Sequence, residues 1–245
     1  MFEVNAKNET LSRFLKSAHA INRKCCIIKT TGEKIQIPVV DESNSAQGEI
    51  EMDLEAFSSY NVEPQTFVIN LSTMVEIVDA GDDDSVVTIE KVESKGIIDV
   101  SVGAQDYKLS LITKADYQYK SLDIDYDLTI TFGEEDFKQA IDAADVFSDE
   151  ILFKYDSQSD SFIFKGKGDS NITKRELESD ELVELSGDDS EATYGLSVLK
   201  SIKDVVPTGT EITVNMAENR PIEIEYAFEN GHGKATYFLA PRLKE

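Results

Sequence analysis

Few residues of this chain have the type and spacing for metal or covalent chemistry. Asp123-Ile124-Asp125-Tyr126-Asp127 sets acids at positions 1, 3 and 5 of a twelve-residue run ending in Glu134, the order of a calcium loop. Position 6 of that run is Leu128, where the sharp turn needs glycine, and Leu128-Thr129-Ile130-Thr131-Phe132 alternates as a strand does. The run reads as a strand with a solvated acidic edge, and a calcium-binding protein using Asp123–Glu134 is the remote alternative. Asp82-Asp83-Asp84 reads as a solvated turn. Cys25 and Cys26 are neighbours, so a bridge between them would be strained, and the apolar run Cys25-Cys26-Ile27-Ile28 reads as a buried strand. His19 and His232 lie far apart with no cysteine at ligand spacing. No glycine-rich phosphate loop, hydrolytic constellation or zinc spacing occurs. The expectation is a protein with no catalytic residues, no metal and no cofactor.

What remains is charge. The 245 residues include 24 Lys+Arg and 48 Asp+Glu, a net charge of −24. Taken alone, that balance argues against nucleic acid, because phosphate contact needs basic surface. Its placement argues otherwise. On a helix read over residues 10–24, Leu11, Leu15 and Ala18 share one face, while Arg13, Lys16, Ala20 and Lys24 take the opposite one. Lys200 lies on the polar side of a second helix, 195–206, with Lys203 at its boundary, and Lys138 flanks the apolar face of a third. An acidic chain thus carries basic stripes on its helices. No apolar run approaches the ~20 residues of a membrane span. Met1 opens a mixed segment without the pattern of a secretory signal, which predicts a cytoplasmic protein.

These helices belong to a repeat. Leu71-Ser72-Thr73-Met74-Val75-Glu76-Ile77-Val78-Asp79 matches Leu196-Ser197-Val198-Leu199-Lys200-Ser201-Ile202-Lys203-Asp204, and the same spacing aligns Val87-Thr88-Ile89 with Ile212-Thr213-Val214. Leu11, Leu15, Ala18 and Ile21 align with Phe137, Ile141, Ala144 and Phe147, and Ile98, Val100 and Val102 with Ile222, Ile224 and Tyr226. Order and near-constant offset indicate a duplication. Each half reads as a helix, two short strands (Cys25–Thr30 and Lys34–Val39, or Ile151–Tyr155 and Ser161–Lys165), a third strand (Gly48–Leu54 or Glu181–Leu185), a second helix and closing strands. The fold class is α+β: two similar β-rich domains, 1–112 and 128–245, each with two helices, joined by an extended connector, 113–127. Tyr117 and Tyr119 of that connector read as exposed aromatics without a core partner.

In this setting Leu54-Glu55-Ala56-Phe57-Ser58-Ser59-Tyr60, Val68-Ile69-Asn70-Leu71-Ser72-Thr73-Met74, Tyr107-Lys108-Leu109-Ser110-Leu111-Ile112 and Tyr237-Phe238-Leu239-Ala240-Pro241-Arg242-Leu243 together resemble the DNA sliding clamp, proliferating cell nuclear antigen family, and most closely its archaeal members. The resemblance implies a non-catalytic processivity factor: three chains close a ring, sheets outside and helices lining the hole, around duplex DNA. It points Arg13, Lys16, Lys24, Lys138, Lys200 and Lys203 towards duplex phosphate, a contact without sequence information. It implies a homotrimer opened by a clamp loader and tethering replicative DNA polymerase, DNA ligase and flap nuclease through short hydrophobic and aromatic peptides. The peptide pocket carried over by position comprises Val40, Ser45, Gln47, Tyr117, Tyr119, Leu122, Pro221, Phe238, Leu239, Ala240 and Pro241. Ring closure would set Ile77 and Tyr107 of one chain against Ile141, Ala144 and Ile172 of the next. No membrane partner is implied; a eukaryotic member would be nuclear. A diverged subunit of a heterotrimer, or a viral clamp, is the alternative. Glu76, Asp79, Asp142 and Asp204 depart from the resemblance, standing where the family usually carries Lys or Arg.

Overall fold

A computed structural model describes residues 1–92 and 95–242 of the chain; Leu243, the end of one motif above, lies outside the described residues. The chain forms two compact units. The first comprises Met1–Tyr119 with Ala227–Ala235, and the second Lys120–Tyr226 with Thr236–Glu245.

In the first unit, one sheet runs β5-β1-β7-β8-β9, from strands β1 (Phe2–Lys7), β5 (Ser59–Val62), β7 (Val86–Val92), β8 (Ile97–Val102) and β9 (Gln105–Ser110). Strands β2 (Cys25–Thr30), β3 (Lys34–Val40), β4 (Ala46–Asp53) and β6 (Gln65–Asn70) lie in the order β4-β3-β2-β6. Helices α1 (Asn8–His19) and α2 (Leu71–Asp79) pack on one another. Leu11, Phe14, Leu15 and Ala18 of α1 and Leu71, Met74 and Val78 of α2 are buried. Each large apolar side chain so removed from water contributes roughly 1.5–3 kcal/mol. The sheets alternate cleanly: Ala46, Ile50 and Met52 of β4 are buried, while Gln47, Glu49, Glu51 and Asp53 take the other face. On that face Lys34 Nζ donates to Glu51 at 2.6 Å, and Gln36 Nε2 to Glu49 at 3.1 Å. The acid therefore covers a sheet surface, not the packed side.

The second unit repeats this order of elements. Strands β10 (Leu128–Gly133), β14 (Glu184–Gly187), β16 (Glu211–Met216), β17 (Ile222–Phe228) and β18 (Gly233–Leu239) run β14-β10-β16-β17-β18. Strands β11 (Glu150–Asp156), β12 (Ser161–Lys167), β13 (Ile172–Glu178) and β15 (Ser190–Gly195) run β13-β12-β11-β15, and α3 (Glu134–Asp145) packs on α4 (Leu196–Lys203). The register repeats too. Ile89 stands opposite Val4 and Val100 in the first unit, as Val214 stands opposite Ile130 and Ile224 in the second. Here the core is aromatic: Phe132, Phe153, Phe162, Phe164 and Tyr194 are fully buried, and Phe153 and Phe164 meet edge to face with centroids 4.9 Å apart. Gly166 marks a close approach, because a Cβ there would lie 2.9 Å from Cα and Cβ of Ala144 on α3.

Four expectations need correction. The first helix ends at His19, not Lys24. Buried Asn22 stops it: its side-chain oxygen accepts from the backbone N–H groups of Lys24, at 2.9 Å, and Cys25, at 3.3 Å, and its amide donates to Val40 O at 2.9 Å. Those bonds turn the chain into β2. Second, residues Glu181–Leu185 do not form the counterpart of β4. Ser179–Glu181 is a short 3-10 turn, and β13 takes that place beside β12. Only Leu177 of β13 is buried, so no alternating pattern marks the strand in the sequence. Third, Leu128–Gly133 is strand and Glu134 opens α3, so Asp123–Glu134 does not wrap a calcium loop. Fourth, the connector tyrosines are half-buried. Tyr117 donates its hydroxyl to Pro38 O at 2.8 Å and accepts from the Ile27 amide at 3.0 Å. Tyr119 donates to Glu49 at 2.7 Å, and Lys29 Nζ stands 5.9 Å from its ring centroid.

Candidate nucleic-acid interface

Every cation expected to face DNA has an acid partner. In the first unit, Arg13 of α1 pairs with Glu9 one turn back and with Glu229 at 2.9 Å, and Thr10 donates to the same carboxylate at 2.9 Å. Lys16 reaches across to Asp79 of α2 at 2.8 Å. Lys24, beyond the helix, pairs with Glu42 at 2.9 Å, a bond that raises its pKa. In the second unit, Lys138 donates to Val206 O at 3.0 Å and lies 3.7 Å from Glu134. Lys200 pairs with Asp145 at 2.7 Å, and Lys203 with Asp142 at 2.5 Å and Asp204 at 3.4 Å. The hydrogen bond to Asp142, foremost, raises the Lys203 pKa and keeps it charged.

Three of the four unexpected acids thus have a physical role. Asp79, Asp142 and Asp204 neutralise Lys16 and Lys203. The polarity of the cross-helix pairs is reversed between units: the cation sits on α1 and its acid on α2, whereas the acids sit on α3 and the cations on α4. Exposed pairs of this kind contribute little to stability, a median of about 0–1 kcal/mol. Their larger effect is on the field, because each pair presents neighbouring opposite charges in place of a bare cation.

His19, at the end of α1, lies 3.2 Å from the Ser72 hydroxyl of α2. Burial, and then Arg23, hold its pKa below the ordinary value against Asp79 and Glu76. Arg23 is exposed, and no carboxylate meets it among the described residues. The helical reading through Lys24 assigns Arg23 to neither face, and the helix ends before it.

The other expected residues fall into two sets. Of those assigned to subunit contact, Ile141 and Ala144 are fully buried within the second unit, where Gly166 packs against Ala144. Ile77 is buried as well. Tyr107 is half-exposed on the edge strand β9, and Ile172 is 60% exposed on the edge strand β13. The sequence does not single out Val146, and it marks Phe147 only as the repeat partner of Ile21; both follow α3 and are 67% and 44% exposed. They line an open groove with Ser148, Lys167 and Gly168. Of the residues assigned to a peptide pocket, Val40 is buried in the first unit, where Ser45 donates to Asp41 at 3.0 Å and Gln47 is half-buried. Desolvation works against the Asp41 carboxylate, but bonds from Ser43, Ser45 and the Ala46 amide outweigh it and lower its pKa. In the second unit Phe238 and Leu239 are buried, Pro221 and Pro241 are half-buried, and Leu122 and Ala240 are exposed.

His232 does have acid neighbours that its sequence position conceals. Its ring lies with Asp53 and Glu55, all ligand atoms within 4.8 Å of one another, the one such group among the described residues. The His232 carbonyl accepts from the Asp53 amide at 2.8 Å.

A duplicated chain of two helix-backed β units, its helices carrying paired charges and its sheets acid, defines the architecture of a DNA clamp. A sequence profile of the proliferating cell nuclear antigen C-terminal domain matches residues 120–242, half of the chain, and the chain belongs to that family. It is 26% identical over 246 residues to the DNA polymerase sliding clamp of Haloarcula marismortui and to that of Natronomonas pharaonis, spanning all of this chain and 99% of each relative. Its fold matches the Archaeoglobus fulgidus PCNA bound to the C-terminal region of FEN-1, with a TM-score of 0.93 at 24% identity over the whole of both chains. It also matches PCNA of Thermococcus kodakaraensis, with a TM-score of 0.89 at 18% identity over 99% of this chain and all of that one.

Proposed function

We propose that this chain is an archaeal-type DNA polymerase sliding clamp, which closes as a ring of three around duplex DNA and works in the cytoplasm without catalysis. The full-length similarity to clamps of halophilic archaea carries the reading. The domains are 1–112 and 128–245, with 113–127 as connector. Ring closure pairs the open edge β9, with Tyr107, against the open edge β13 of the next chain, where Ile172, Val146 and Phe147 form the apolar contact; joining two edges also removes both from solution. The helices line the hole, and Arg13, Lys16, Lys138, Lys200 and Lys203 face the duplex together with their acids. Contacts so neutralised hold DNA weakly, which a topological tether tolerates and sliding requires.

Partner proteins dock by short peptides, as the relative that binds the FEN-1 C-terminal region supports; the residues that the resemblance carries over for this role are Ser45 and Gln47 in the first unit and, separately, Leu122, Pro221, Ala240 and Pro241 in the second. A flap nuclease is therefore one partner, and polymerase, ligase and clamp loader are the others. Tyr117 and Tyr119 are not free anchors, since their hydroxyls are bonded to β2, β3 and β4. Light scattering tests the ring: a mass of three chains of 27.3 kDa is expected. Primer extension by an archaeal replicative polymerase with its loader tests the tether, and a chain that leaves product length unchanged refutes it.

A further inference from the structure

Among Arg and Lys residues on the four helices and on the segment leading from α1 into β2, Arg23 alone of the described residues meets no carboxylate. Its place is fixed. The Ser72 hydroxyl donates to Arg23 O, and the Leu71 amide donates to Lys24 O at 3.1 Å, so the backbone on either side of the Arg23–Lys24 peptide is tied to the first turn of α2. Asn22, just before it, is buried with its side chain fully engaged. The Arg23 backbone is therefore held against the first turn of α2, and its exposed side chain leaves from that fixed base. His19 stands beside it with a depressed pKa and adds little positive charge at neutral pH. Lys7, the exposed residue that precedes α1, lies at the other end of a twelve-residue helix, roughly 18 Å away.

We propose that Arg23 is the principal phosphate contact of the first unit, being the cation that meets no carboxylate among the described residues of the helices and the α1–β2 segment. The assignment rests on the clamp reading above. Guanidinium suits the role, being permanently charged and able to give two parallel hydrogen bonds to one phosphate. Because it reads only phosphate, the contact is independent of sequence.

The test is binding of a fluorescent linear duplex to the full chain, by anisotropy, over a range of salt. Arg23→Ala should make the slope of log affinity against log salt shallower by about 0.9 for each phosphate lost, or about 2.7 for a ring of three. Arg23→Lys should restore most of the slope, and Arg220→Ala, on the exposed turn between β16 and β17, should leave it unchanged. Arg23→Ala should keep the parent mass by light scattering, since its side chain is exposed. A slope unchanged in Arg23→Ala, while the parent chain binds duplex, overturns the assignment and leaves the clamp reading standing. A parent chain that binds no duplex at any salt overturns both. Loss of the ring in Arg23→Ala overturns the assignment in favour of a structural role.

Discussion

The acids that neutralise the helix cations can be removed one group at a time. Asp79→Asn, Asp142→Asn and Asp145→Asn together keep the shape of each side chain and release Lys16, Lys203 and Lys200 from their strongest partners. The folding cost is small. Each pair keeps an exposed partner, although Lys203 itself is largely buried, and such pairs contribute about 0.2–1 kcal/mol each before salt screens them. The DNA effect is not small. If one released cation per chain reaches phosphate, a ring of three gains three contacts and its salt slope steepens by about 2.7. Halving the salt then raises the variant's affinity about 6-fold more than the parent's. Anisotropy of a labelled linear duplex in a salt series reads this directly, with light scattering to confirm that the oligomer is unchanged. A triple variant with the parent's slope and the parent's affinity at every salt would refute the view that these acids mask the lining.

Three further outcomes are expected. Ile172→Asp changes a residue already exposed, so it should leave the melting temperature of the separated chain intact while shifting the light-scattering mass from three chains to one. Tyr117→Phe leaves the Ile27 amide and Pro38 carbonyl without their partner and should destabilise the fold by about 1–3 kcal/mol, read by urea unfolding. His19 has a folded pKa below its ordinary 6.5, so the unfolded chain binds the proton more readily. Its contribution to stability is whole above pH 6.5 and is lost as pH falls through the folded value; in urea titrations at pH 7.5 and 5.5, His19→Gln should therefore lose less stability than the parent.

Much of the fold was legible because it rests on period and repeat. Leu11, Leu15 and Ala18, and Phe137, Ile141 and Ala144, mark the two leading helices by spacing alone, and a repeat offset near 125 carries the strand register from one unit to the other. What escaped depends on partners distant in sequence. Lys16 and Asp79 are apart in the chain, so helical spacing showed a basic stripe where the structure shows a neutral one. Helical spacing also has no stop signal for Asn22, whose effect depends on the Val40 carbonyl, and so Arg23 went unnoticed. Apolar residues on an amphipathic helix mark either a core or an interface by spacing alone; Ile141 and Ala144 are buried within their own unit, with Gly166 packed against Ala144. β13 escaped for the opposite reason, because an edge strand with one buried residue leaves no alternation to read.

The reversed pairing between α1–α2 and α3–α4 has a consequence for motion. A bare cation attracts phosphate with an energy falling as the inverse of distance, whereas a pair a few ångströms across acts as a dipole whose attraction falls faster and changes sign with orientation. A duplex advancing past such pairs meets shallow, alternating bumps, not a row of wells one phosphate apart. If these pairs face the duplex as proposed, the diffusion coefficient along DNA, more than the affinity, is the quantity they would control.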